Sequence, residues 1–228
     1  MAYTLPTAAS GPGAAPALDF AVKDGGVLDY AAVPTLRFAL AIESVHGPAT
    51  IRSVALSVEI RIAATRRAYN PDERERLAEV FGGDEEWRRN LHSLHWTTLA
   101  ANVPGFTGST VFDLPVTCTY DLEVTGAKYL HSLDHGQIPL EFLFSGSVFY
   151  AEPSGRLQIG RIGWDREATY RLPVAAWREM IDRHFPDTAW LRLRRESWER
   201  LAAYKAKGTH MSWDSAVDAL LRDADADG

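Results

Sequence analysis

An α+β fold is what this sequence predicts: an antiparallel β-sandwich with short inserted helices and a helical C-terminal region. Three observations predict it. Long segments alternate apolar and polar residues with period two, the mark of strands with one face in a core and one in water. Glycine and proline turns separate those segments at short intervals, as in a sandwich and not in a parallel α/β sheet. The last third changes period, with apolar residues three and four apart between capping signals. At 228 residues the chain can bury about 70–75% of its unfolded surface, enough for one large domain with an appendage.

The elements follow in chain order. Residues 1–17, "MAYTLPTAASGPGAAPA", are too poor in large apolar groups to hold a fold and read as a disordered lead. A β-sandwich domain is expected over 18–172, opening with a strand at "LDFAV". In "TLRFALAI", Leu36, Phe38, Leu40 and Ile42 share one face. In "SVALSVEIRI" the inward set is Val54, Leu56, Val58, Ile60 and Ile62. "NPDERERLAEVFGG" has an N-cap at Asn70, proline at N1, acids in the first turn and a glycine stop, so a helix is expected there. "DEEWRRNLHSL" continues as helix. "HWTTLAANV" reads as a strand and "GFTGST" as a turn. "VTCTYDLEV" alternates again, with Val116, Cys118, Tyr120, Leu122 and Val124 inward. "TGAKYLHSLDHG" gives a short helix, and "IPLEFLFSGSVFYA" and "GRLQIGRIGW" give strands. Within the first of these Gly146 marks a bulge or a close approach.

A helical region is expected over 173–222 and an acidic tail over 223–228. "LPVAAWREMIDRHFPD" lines up Val174, Trp177, Ile181 and Phe185 along one side and stops at Pro186. "WLRLRRES" alternates as a short strand. Ser197 then caps a helix that ends at Gly208, and Ser212 caps another.

Composition excludes several classes. A net charge of −6 argues against a general nucleic-acid or anionic-membrane binder. The single cysteine rules out an internal disulfide and fits a reducing cytoplasm, and its strand setting makes it a small buried hydrophobe. The opening residues lack the basic and apolar regions of a secretory signal. No apolar run reaches transmembrane length, so no membrane insertion is expected. Twenty of the 24 basic residues are arginine, a coding bias of GC-rich genomes.

Reactive chemistry leaves little trace. There is no G-x-S-x-G, P-loop or G-x-G-x-x-G. His92 and His95 lie at i, i+3, and His131 and His135 at i, i+4 with Asp134 between them. The second pair could share a helix face and hold zinc or nickel, but Gly136 follows at once and no H-E-x-x-H or paired-cysteine motif accompanies it. No metal, no cofactor and no catalytic residue is therefore assigned. Trp96, Trp164, Trp177, Trp190, Trp198 and Trp213 adjoin apolar periodic positions and read as core. Any of them exposed in a patch would point to a protein partner, since tryptophan and arginine dominate interface anchors.

The strand, helix, helix order near residues 190–222 resembles the ribbon-helix-helix repressors, whose alternate strand residues enter the major groove. The matching positions are Trp190, Arg192 and Arg194, candidates for partner or DNA contact. Acidity and the large preceding β domain weigh against nucleic acid. "PTLRF", "FTGSTVFDLPVTCTYDLEV", "AKYLHSL", "IPLEFLFSGSVFY" and "YRLPVAAWREMIDRHFPDTAWLRLRRESWERL" together resemble an actinobacterial domain-of-unknown-function family, family 6084, associated with gene neighbourhoods of nickel–iron hydrogenases. Together with the lone cysteine and the lack of catalytic motifs, the resemblance leads to the expectation of a cytoplasmic, non-enzymatic accessory protein. Its protein partner would be a hydrogenase subunit or maturation factor, in assembly, stability or regulation.

Overall fold

The computed structural model describes residues 15–45, 49–119, 124–152, 154–188 and 193–226. The chain forms two compact units, one up to Ala189 and one from Trp190. The first is a two-sheet sandwich. Strands β1 (Leu18–Val27), β2 (Thr35–Ser44) and β5 (Ser109–Thr117) make a three-stranded antiparallel sheet in the order β1-β2-β5. The second sheet runs β4-β3-β6-β7, from β3 (Thr50–Ile62), β4 (Leu94–Thr107), β6 (Gln137–Ala151) and β7 (Leu157–Arg161). Strand β8 (Glu167–Pro173) pairs the first half of β6, and β7 pairs the second half.

The expected alternation is realised. Leu36, Phe38, Leu40 and Ile42 are fully buried, as are Val54, Val58, Ile60 and Ile62, with Leu56 nearly so. The facing sheets lock through aromatic rings. Phe20 of β1 stacks on Phe144 of β6 with centroids 4.3 Å apart, and Phe38 of β2 meets Phe142 edge-on at 5.1 Å. Such pairs add to the stabilisation from burial alone.

Helices close one end. Asn70 caps α1 (Pro71–Arg76) in a capping box with Glu73, as the sequence indicates, but the helix breaks at Leu77 and resumes as α2 (Ala78–Phe81). Then come α3 (Asp84–Asn90), α4 (Thr125–His131) and α5 (Val174–His184). Leu77, Phe81, Trp87 and Tyr129 form an aromatic-rich layer under α1–α4. Helix α5 buries Val174, Trp177, Met180 and Ile181 and packs on β1 and β8, so it belongs to the sandwich unit.

Two expectations need correction, and one strand was not expected. Strand β5 ends at Thr117, opposite Thr35 at the start of β2, and the Cys118 N–H beyond it still donates to the Pro34 carbonyl. Residues 120–123 lie outside the described residues, and Val124 is exposed as the N-cap of α4. "GFTGST" is not a multi-residue turn. Gly108 alone, at φ 73°, carries the chain from β4 in one sheet to β5 in the other, and its carbonyl accepts the Ser44 N–H. Strand β8 gave no separate signal because "RLP" runs directly into the pattern of α5.

The second unit is a helical hairpin, α6 (Arg195–Lys207) and α7 (Trp213–Ala226). Arg194 occupies the N-cap of α6 with no side-chain bond, so Ser197 is not the cap. Ser212 does cap α7, its Oγ accepting the Ser215 N–H at 3.1 Å. Among the described residues no helix is long and apolar enough to cross a membrane.

Candidate functional site

Polar groups converge where α1, α4 and α5 meet the start of β6. Arg67 follows a single 3-10 turn (Ala64–Arg66), and its side chain is almost wholly buried beside Glu73. Its Nη2 pairs with Glu73 Oε1 at 2.5 Å and donates to the His135 carbonyl, while Nη1 donates to the Gln137 carbonyl. Glu73 also accepts the backbone N–H of Asp134 and of Asn70. Asp134 in turn pairs with Arg76 at 2.6 Å and Arg178 at 3.3 Å. The capping box of α1 thus doubles as an anchor for the loop after α4.

This cluster is built to hold a loop. Glu73, Asp134 and His135 bring donor atoms within 4.8 Å of one another, a spacing a small cation could use. Three guanidinium groups already face the two carboxylates, so a cation would enter against positive charge. The histidine pairs do not assemble either. His131 ends α4 and Ser132 caps it, leaving His135 beyond the helix. His92 follows α3 and packs edge-on against Phe81, whereas His95 lies in β4.

The nucleophile candidates are damped. Cys118 is buried, which pushes its thiol up to about 12. Tyr69 donates to the Ala64 carbonyl at 2.7 Å, so Tyr129 must be the donor in the 2.7 Å bond between the two phenols. Burial raises both phenols, keeping them protonated.

Asp134 gives a pH prediction. Its hydrogen bond from Arg76 holds the carboxyl below its ordinary 3.8, helped by Asn70 and the Arg178 charge against a smaller desolvation. The unfolded state therefore binds this proton more tightly. The resulting stability is present above the unfolded value and lost as pH falls through the lower folded one. Asp134→Asn is expected to be less stable than wild type near neutrality, with the gap closing toward the acid end in denaturant titrations from about pH 7 to 2.

Two surfaces remain that water should not favour. Strand β7 ends its sheet, and among the described residues it pairs with β6 alone. Gly160 turns inward, so alternation sends Leu157 and Ile159 outward, 58% and 66% exposed. Register sets Ile159 opposite half-buried Phe149. Trp164, in the turn between β7 and β8, is 94% exposed. The hairpin shows the second surface, with Trp198 46% and Trp213 38% exposed. Trp164, Trp198 and Trp213 are therefore not core residues, against the sequence expectation. Trp177 is core, and Trp96 packs partly against it. Trp164 stands between Gly163 and Asp165, and that turn chemistry is the signal that could have placed it outside.

Of the sequence-nominated contact residues, Trp190 and Arg192 lie outside the described residues. Arg194 is exposed at the start of α6, and Leu193 and Arg194 lie in no strand.

A family model described as a family of unknown function (DUF6084) matches residues 15–228. No curated protein matches the sequence. Among solved structures, the chain is similar to the solution structure of a protein assigned to the late embryogenesis abundant (LEA) proteins. That likeness has a TM-score of 0.30 and 12% identity, over 69% of this chain and 72% of that one. It is also similar to part of beta-glucosidase 3B from Thermotoga neapolitana in complex with glucose, at a TM-score of 0.23 and 15% identity, over 68% of this chain and 17% of that one.

Proposed function

The chain belongs to the DUF6084 family of unknown function, and from that premise we propose that it is a non-enzymatic accessory protein that binds a protein partner along the β7 edge. The observation that carries this reading is Trp164, a tryptophan almost fully exposed in a turn next to an edge strand with two outward aliphatic side chains. Exposed apolar edges are templates for association unless a protein uses or covers them. Tryptophan supplies large contact area at small entropic cost and is enriched among residues that dominate binding energy. The damped thiol and phenols and the guanidinium-paired carboxylates favour binding over chemistry at the other polar groups.

The partner to test first is a hydrogenase subunit or maturation factor in the cytoplasm, nominated by the sequence resemblance. Affinity capture from the native host at gentle salt should recover such a protein with wild type and not with an Ile159→Asp, Trp164→Ala variant. Recovery of no hydrogenase-related protein, or equal recovery by both, would count against the proposal.

A further inference from the structure

The C-terminal hairpin poses a separate problem. Among its described residues only Ala216 is fully buried, and α6 buries none. Two helices alone cannot enclose a core, and units this small need a staple or an associate. Trp213, Val217, Leu220 and Leu221 recur three and four apart, which places them in one stripe along α7. Each is between 38% and 59% exposed. Trp198 joins the stripe from α6, its ring centroid 4.6 Å from that of Trp213.

Charge divides between the helices. In α6, Arg195, Arg200, Lys205 and Lys207 outnumber Glu196 and Glu199. In α7, Asp214, Asp218, Asp223 and Asp225 outnumber Arg222. Asp214, Asp218 and Asp225, four and seven apart, follow one side of α7 next to the stripe.

We propose that this stripe is the interface between two copies of the chain, which join their hairpins into an antiparallel four-helix bundle about a two-fold axis parallel to the helices. That axis sets α7 of one copy against α6 of the other, acidic on basic, with every neighbouring pair antiparallel. A two-fold axis across the helices would instead stack α7 on α7 and α6 on α6, like charge on like. Charge complementarity therefore selects one arrangement. Helices of 13 and 14 residues are about 20 Å long, or nearly four turns of contact. The inference stands apart from the β7 surface and does not depend on it.

Sedimentation of the full chain between about 1 and 100 μM tests it. Wild type should show twice the 25.2 kDa chain mass, falling toward one chain mass on dilution. Leu220→Asp and Val217→Asp should each give the single-chain mass with helical circular dichroism retained. A chain with Asp214, Asp218 and Asp225 changed to Lys has two basic helices, and one with Arg195 and Lys205, the bases on the Trp198 side of α6, changed to Glu has two acidic ones. Each should be monomeric alone and dimeric when mixed. A wild type that is monomeric throughout, including one whose stripe is protected by its own first unit, overturns the proposal. So does a dimer that both aspartate substitutions leave intact, or a mixture that stays monomeric.

Discussion

Glu73→Ala is expected to destabilise the sandwich unit by about 3–5 kcal/mol, the usual result of leaving a buried charge without its partner. Arg67 has nowhere to send its charge. Its side chain is 8% exposed, its Nε is already buried without a hydrogen-bond partner, and besides Glu73 it meets two carbonyls and the face of the Tyr69 ring, none of them charged. The same substitution removes the capping box of α1 and the acceptor of the Asp134 N–H. Replacing Arg67 and Glu73 together by leucine should cost less than Glu73→Ala alone, because the charge leaves with its partner. Urea denaturation of the two variants checks this ordering. A Glu73→Ala variant within about 1 kcal/mol of wild type would mean that water reaches Arg67.

Gly146→Ala is expected to cost about 2–6 kcal/mol, from backbone strain and forced separation of about 1–3 each. Gly146 sits at φ 135° in the middle of β6, where its register partner is Leu56 of β3. A Cβ there would lie 2.1 Å from the Ala55 carbonyl oxygen. That oxygen belongs to a central strand held by ladders on both sides, so it cannot swing away as a side chain would. A lowered melting temperature at an unchanged fold is the expected readout. Gly26→Ala, which meets nothing within 4 Å, is the control.

Much of the sandwich was legible because period two reports burial directly. Val58 and Ile60 alternate with Ser57, Glu59 and Arg61, and Phe38 and Leu40 with Arg37 and small alanines, and each sits where the alternation puts it. Along "VTCTYDLEV" Val116 and Cys118 are buried as alternation expects, whereas Val124 is exposed because there the chain has already turned into the N-cap of α4. The ion-pair cluster was invisible for a different reason. Arg67 and Glu73 are six residues apart, but Asp134 lies about sixty residues further on, and only the return of the chain after α4 brings it to them. Glu73 looked like a solvated first-turn acid, yet the loop folds over it. Trp164, Trp198 and Trp213 misled because tryptophan beside an apolar run is the composition of a core and of an interface alike. The histidine spacing did not carry into the fold, because His135 falls beyond the α4 cap, whereas Gly146 is the close approach that its place in a strand pattern indicates.

The measurement closest to the central claim is a calorimetric titration of the captured partner into wild type and into Trp164→Ala. Trp164 is exposed, so the substitution should move stability by less than about 0.5 kcal/mol. If Trp164 anchors the partner, binding should weaken by about 2 kcal/mol or more, roughly 30-fold in Kd. Equal Kd values for the two proteins, at equal melting temperatures, would contradict the assignment of the β7 edge as the binding surface.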